Sequence, residues 1–544
     1  QLSVDFLNTS TAFLGSIVIG NGVNPNIIWL ARYFEQRRLG NDAVKAMAET
    51  HRSVWLGTLT ASVAAALAYG SLMLTDFRGF RDFGAIGLVG MLACWLSATL
   101  LLPALAAGFE RFRPMNARHD VERISGLARF FTRVVYASPK LVVLFSVLLT
   151  FASVGAMGYA LDQGAMEYDF RKLKSEREGT TAARSINARV HEMVGSSAQG
   201  NGIAIVVESA FEAEDLEAAL EAEAGEADPD APLEGALWLN VHSLDDLLPG
   251  DAELQEEKRA LLGRIRTHLQ ELRPRTDEET QAKIDEHLPP EDIEVLTRED
   301  LPESVAGSFT ERDGTRGRIL VVEANQSIWD GEYLVAWSEG LRAVHIDREG
   351  MMRPRLAGRA PVFADVIQAV VNDGPTATFW VFLATFILSL VAFRKLRERL
   401  LTMLALVLGI AWMGGTMAAL GMKLNFLNFV AFPITFGNGV DYGVNVMRRY
   451  SQECELGRRD PIRASVEQTG GAVILCSLTT VIGYSSLYSS ANLAINSFGL
   501  AMAISEVTCL LSAVLTMPAI LLLLARRAER RRPKTGGDPD SESE

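Results

Sequence analysis

Phe432-Pro433-Ile434-Thr435-Phe436-Gly437-Asn438-Gly439-Val440-Asp441-Tyr442-Gly443-Val444-Asn445 decides how this chain is read. The stretch lies within an apolar run at 427–447, long enough to cross a bilayer, yet it carries a carboxylate and two amides. A charge at that depth is costly, so such residues face a bundle interior and handle ions or protons. Helical spacing puts Asn438 (i−3) and Asn445 (i+4) on the face of Asp441, and Tyr442 adds an adjacent hydroxyl. Gly437, Gly439 and Gly443 permit close helix packing or local flexing. Asp441 with Tyr442 is therefore the candidate proton relay, with Asn438 and Asn445 in support. The alternative is a structural Asp satisfied by neighbouring amides.

Outward from this stretch the chain alternates between two chemistries. Its 544 residues are 49% hydrophobic and 22% charged. Apolar runs fall at 10–31, 54–75, 83–108, 141–161, 375–393, 400–420, 427–447, 469–490 and 497–524, which predicts nine membrane helices. Residues 162–372 carry 44 acidic and 22 basic side chains, a net of −22 against −14 for the whole chain. This pattern excludes a fully soluble protein, a one-helix anchor and a nucleic-acid binder led by a basic domain. Five basic clusters follow the odd-numbered runs or fill the turn at 394–399. They are Arg32–Arg52, Arg111–Arg133, Arg394–Arg399, Arg448–Arg463 and Arg526–Arg532. If each run crosses once, all five lie on one side, the cytoplasmic one, and residues 162–372 lie outside.

Gly20-Asn21-Gly22-Val23 recurs as Gly437-Asn438-Gly439-Val440, and the same offset aligns Arg32-Tyr33 with Arg449-Tyr450. With small gaps, Leu59-Thr60 falls on Leu478-Thr479, Phe83-Gly84 on Phe498-Gly499 and Pro103-Ala104 on Pro518-Ala519. Three consecutive helices are thus duplicated in the same direction, a parallel repeat of the transporter kind. The second copy follows an outside domain and two further helices, and nothing of that sort precedes the first. Symmetry predicts twelve helices and two outside domains in the complete protein, with Gln1 at a cut and no signal peptide.

The predicted organisation is a polytopic α-helical membrane protein with an outside α/β domain. Residues 1–110 hold the last three helices of the first repeat, 111–140 a cytoplasmic linker and 141–161 a membrane helix. Residues 162–372 form the outside domain, 373–525 five further helices and 526–544 a charged cytoplasmic tail. Strands are expected at 167–173, 202–207, 236–241 and 318–323, and helices at 182–193, 252–272, 276–287 and 333–344, an alternation that suggests an α/β sheet. Glu212 to Asp230 reads as a surface helix and loop. The four cysteines lie outside this domain, so neither a disulfide there nor a metal site is expected, and no cofactor motif is present.

In the first repeat the place of Asp441 is taken by Asn24, which cannot take a proton, so Asn21 and Asn24 form a degenerate counterpart. Glu506 is a second intramembrane acid that either shares a proton with Asp441 or stands apart. Thr479 and Thr480 give the eighth span a polar side that faces the relay or glues helices together.

The pattern from Gly437-x-Gly-Val-Asp-Tyr-Gly to Arg449-Tyr450 resembles the resistance-nodulation-cell division (RND) superfamily, and within it the MMPL-type and hopanoid-exporter-like branch. Val241-His-Ser-Leu-Asp-Asp-Leu-Leu-Pro249 and Leu301-Pro302 ahead of Asp313-Gly314 resemble that branch's porter domain. The resemblance implies export of a lipid or other hydrophobic substrate, driven by the proton-motive force, from a bacterial inner membrane through residues 162–372 as an extracytoplasmic porter domain. It carries the family's relay pair onto Asp441 and Tyr442. Many members have a second pair where this chain has Asn24-Pro25, which leaves open a one-site pump or a non-pumping lipid- or sterol-sensing member. A Sec-type accessory subunit of protein export is a further alternative. An enzyme is not expected. Membrane lipids are the expected partners, with a homo-oligomer or a periplasmic partner left open.

Overall fold

The computed structural model describes residues 14–112, 122–173, 202–225, 235–344 and 354–531, with Ile186 and Arg189. The chain divides into a helical unit, residues 1–167, 171–177 and 368–544, and a sheet unit, residues 168–170 and 178–367.

The helical unit opens with α1 (Leu14–Gly22) and α2 (Asn24–Arg38), which part at Val23 because Pro25 brings no N–H to the ladder. Asp42 caps α3 (Ala43–Ser71) by accepting from the Lys45 N–H. Then come α4 (Arg78–Leu96), α5 (Leu102–Phe112), α6 (Glu122–Ala137) and α7 (Pro139–Asp162).

The sheet unit runs β1 (Gly202–Val206), α8 (Ala210–Glu221), β2 (Trp238–His242), α9 (Ala252–Leu272), α10 (Glu278–His287), β3 (Ile319–Ala324), α11 (Gly331–Ala343), β4 (Arg355–Ala357) and α12 (Arg359–Gln368). The sheet order is β2-β3-β1-β4 and every neighbouring pair is antiparallel, with Ile205 opposite Leu320 on one side and Leu356 on the other. Each strand–helix–strand unit is therefore split by a third strand running the other way. The expected alternation of strands and helices is present, and the strands joined by a single helix are not neighbours in the sheet. Ile203, Ile205, Leu320 and Val322 are buried at every second position, as are Leu216 and Leu220 of α8 and Leu334, Trp337 and Leu341 of α11. The helical insertion between β2 and β3 is held by the Arg298 guanidinium on Asp245 (2.6 and 2.5 Å) and by Gln255 on the backbone of Leu296.

No strand forms at 167–173. Residues 170–173 make a 3₁₀ turn, and only isolated bridges, Met166 to Leu424 and Asp169 to Asp330, flank it. An alternating pattern becomes a strand only beside a partner edge. β4, three residues long, has no comparable signal. The helix expected at 182–193 lies outside the described residues, apart from Ile186 and Arg189.

The helical unit resumes with α13 (Gly374–Ala392), α14 (Leu396–Ala419), α15 (Ala431–Glu455), α16 (Pro461–Gln468), α17 (Gly470–Leu487), α18 (Leu493–Leu511) and α19 (Met517–Arg531). Among the described residues seven helical stretches are long and apolar enough to cross a membrane. The other two expected spans are α1–α2 and α15. α15 falls short because its amides and acid lower its hydropathy, and residues 433–447 are all buried, so the helix never has to face lipid.

The repeat extends into details of packing. Tyr69 lies against Phe83 at 6.1 Å and Tyr484 against Phe498 at 6.2 Å. A Cβ on Gly84 would meet the Tyr69 carbonyl at 2.6 Å, and one on Gly499 the Tyr484 carbonyl at 2.7 Å. A π-helical turn at 97–101 precedes Pro103, and another at 512–516 precedes Pro518. A third, at 369–373, precedes Pro375 and joins α12 to α13. Each proline removes one donor, and the wider turn absorbs the break.

The basic segments gather at one end of this unit. Arg449 pairs with Glu35 (2.7 Å), Gln452 bonds the Ser53 carbonyl (3.0 Å) and Arg448 the Ala392 carbonyl (3.1 Å). Arg397 reaches the Leu521 carbonyl (3.3 Å), and Tyr136 donates to Asp460 (2.5 Å).

Candidate functional site

α15 lies against α3 so closely that a Cβ on Gly437 would stand 2.5 Å from the Ala68 Cβ and 2.8 Å from the Ala64 carbonyl. One on Gly439 would meet the Cys509 Sγ of α18 at 2.7 Å, and one on Gly443 the Thr402 Cγ2 of α14 at 3.2 Å. The glycines seat α15 among three helices, and the helix runs unbroken from 431 to 455. Of the two uses expected of these glycines, close helix packing is the one seen in their contacts.

This seating buries the polar stripe. Asp441 is 8% exposed, Tyr442 1% and Glu506 2%. The Asn445 amide donates to the Asp441 carboxylate and, at 2.9 Å, to the Asp441 carbonyl. The Asn24 amide of α2 also lies against that carboxylate. Among the described residues its side-chain partners are amides, with no cation among them. On the next face of α15, the Tyr442 hydroxyl donates to the Glu506 carboxylate of α18. The other Glu506 oxygen is buried and unpaired, as are the side-chain oxygens of Asn21, Asn24 and Asn438. In the absence of cations, buried acids and idle acceptors can be satisfied by protons or by water.

Asn21 of the first repeat shares a hydrogen-bond partner with the second. Its amide donates to the Tyr69 hydroxyl (3.0 Å) and the Tyr484 hydroxyl (2.7 Å), and Asn438 donates to the same Tyr484 hydroxyl at 3.4 Å. Asn21 and Asn438 are repeat counterparts, so the two halves share one network. Tyr69 and Tyr484 were missed from the sequence because a lone Tyr in an apolar run reads as core; their matched position in the repeat was the available signal. Thr480 reaches across the halves to the Gly20 carbonyl (3.2 Å). Thr479 bonds only carbonyls of its own helix, Leu475 and Cys476, and does not join the site. Both hydroxyls bond backbone carbonyls, the pattern of side chains that join or brace helices.

One void borders the carboxylate and a second borders its Asn445 partner. The first, of about 10 Å³, on the order of a single water, is lined by Asn21, Asn24, Ser62, Asn438 and Asp441. The other, about 50 Å³, opens among Arg32, Glu35, Arg449 and Gln468 at the arginine-bearing end and reaches inward to Asn445. One amide separates that pocket from Asp441. At its rim the buried Arg449 joins Glu35 (2.7 Å) and Glu453 (2.9 Å), tying α2 of the first repeat to α15 of the second.

The model of the MMPL family matches residues 2–142 and 341–538. The hopanoid transporter HpnN of Rhodopseudomonas palustris is 22% identical over 95% of this chain and 62% of its own length. A membrane protein of Methanocaldococcus jannaschii is 27% identical over 26% of this chain and 37% of its own. The hedgehog release protein Disp of the water bear Hypsibius dujardini shares the fold, with a TM-score of 0.57 at 14% identity over 96% of this chain and 64% of that one. The chain thus spans less than two thirds of the length of each of these proteins.

Proposed function

We propose, on the premise that this chain belongs to the MMPL family, that it works in secondary transport of a lipid-type cargo, powered by protons that bind and leave Asp441. The observation that carries this reading is the cation-free Asp441 carboxylate, held by amides of both repeats, one residue from a pocket at the arginine-bearing end. Protonation would remove a buried charge and free Asn445 and Asn24 to re-pair. That change would loosen the contact between α2 and α15, the two halves of the repeat. The Tyr442–Glu506 pair supplies a second protonatable group beside the first, where the first repeat offers only Asn24. A proton moved through 100 mV delivers about 2.3 kcal/mol, and a second acid would double the drive. The similarity to a hopanoid transporter supports a polycyclic or other lipid cargo. In this reading the arginine-bearing end is cytoplasmic, the membrane is a bacterial inner membrane, and the sheet unit is an extracytoplasmic porter domain through which cargo is exported.

The test is proton flux into vesicles that hold the intact protein and face a pH gradient, read with an internal pH dye. Asp441→Asn is expected to abolish lipid-dependent flux while the protein remains folded. Undiminished flux would overturn the relay. A second reading, a lipid sensor without flux, is favoured by Asn24 in place of an acid. It predicts saturable lipid binding that Asp441→Asn leaves intact, with no flux in the wild type.

A further inference from the structure

A cavity of about 560 Å³ lies where α7 begins and α19 ends, and none of the relay residues lines it. Leu523, Arg526, Arg527 and Arg530 line it at i, i+3, i+4 and i+7 of α19, so one helical face brings three guanidinium groups together. Lys140, in the first turn of α7, adds a fourth cation from the other wall, where the Ser138 side chain leaves the helix uncapped. Among the described residues no carboxylate pairs with any of these four. Other arginines at this end are tied down: Arg449 to Glu35 and Glu453, Arg37 to Glu110, Arg399 to the Phe393 carbonyl. All four are exposed, so water screens much of their mutual repulsion, and an anion between them would relieve the rest.

The apolar floor indicates which anion. Leu141 lines the cavity and begins a stripe continued by Leu144, Phe145 and Leu148, again at i, i+3, i+4 and i+7, and all four are more than half exposed. A free phosphate would make no use of that stripe; acyl chains would lie along it while their headgroup occupied the basic cavity. We propose that this cavity is a binding site for an anionic phospholipid of the leaflet at the arginine-bearing end. Its phosphate would sit among Lys140, Arg526, Arg527 and Arg530, with its chains on α7. The inference stands apart from the transport reading, because neither Asp441 nor Glu506 takes part.

The experiment is native mass spectrometry of the intact protein exchanged into equal parts phosphatidylglycerol and phosphatidylcholine. Wild type is expected to retain phosphatidylglycerol in preference, and the Arg526→Gln, Arg527→Gln, Arg530→Gln triple variant to retain roughly tenfold less or lower still. A charge-matched control, Arg38→Gln, Arg394→Gln and Arg459→Gln, removes three exposed cations from the same end and is expected to retain lipid as wild type does. A triple Lys variant guards against misfolding and is expected to keep at least part of the preference. Equal retention of the two lipids by wild type would overturn the site, as would loss in the control equal to that in the triple Gln variant. Displacement of the lipid by inorganic phosphate alone would overturn it too, by showing a free-anion site.

Discussion

At the residue scale the site is a set of buried polar atoms that lack spare partners, so removing one partner is costly. Tyr442→Phe would leave the Glu506 carboxylate with neither oxygen bonded, at a cost of about 1–3 kcal/mol, and should lower the thermal midpoint. Glu506→Gln keeps a bond to the hydroxyl and should cost less. If Glu506 carries a proton in the cycle, however, the Gln variant should lose flux although it stays folded; a Gln variant with full flux and a Phe variant of wild-type stability would each count against this account. A second titration belongs to the sheet unit. Burial, and then the nearby Asp246, Glu221 and Asp245, push the Glu217 carboxyl above its ordinary range. A raised carboxyl disfavours the charged form, so its contribution to stability is full below the unfolded value and lost as pH rises through the folded one. Glu217→Gln should therefore raise the thermal midpoint at pH above neutrality relative to wild type and change it little in acid. An equal shift at both pH values would contradict the burial argument.

At the element scale, α15 is a polar helix that survives in a bundle only because other helices surround it. Its glycines make that possible, since the backbone of α3 comes within contact distance of Gly437. Gly437→Val would push its side chain into Ala64, Ala65 and Ala68, an overpacking cost of about 1–3 kcal/mol. It should separate the two halves and lower flux along with stability. Gly457, with φ of +67 in the loop after α15 and nothing near its Cβ position, offers a comparison: a side chain there strains the turn without touching the interface. A Gly437→Val protein as stable as wild type would show that α3 and α15 can part without loss. The prolines work at the same scale. Pro103 and Pro518 were visible as repeat markers, but the wide turns ahead of them follow from the missing N–H and appear only once the helices are built.

At the scale of the whole molecule, charge and hydropathy separate along the chain. Acidic residues concentrate in the sheet unit, and arginines in the segments that the helical unit gathers at one end. If that end is cytoplasmic, a single cysteine at Glu278, exposed at the start of α10, should react with an impermeant maleimide added outside intact cells. One at exposed Arg459 should react only after lysis. The background would be a chain with Cys454, Cys94, Cys476 and Cys509 replaced by Ala or Ser. Labelling of Arg459→Cys from outside, with Glu278→Cys silent, would invert the topology and with it the direction of export.

Hydropathy, the repeat and the arginine bias sufficed to read a many-helix membrane protein with a duplicated half, because each is a property of residues taken in order. The same holds for Asp441, Tyr442, Asn438 and Asn445, which one helical period lines up. Which helices surround them is a matter of tertiary packing. That packing joined Asn21 and Asn24 to the second repeat, paired Glu506 with Tyr442, brought in Tyr69 and Tyr484 and left Thr479 outside. It also set the sheet order β2-β3-β1-β4 and left 167–173 without a strand, since an alternating pattern does not say which edge it joins or whether it finds one. Local period depends on neighbours along the chain, whereas a buried hydrogen bond depends on neighbours across it.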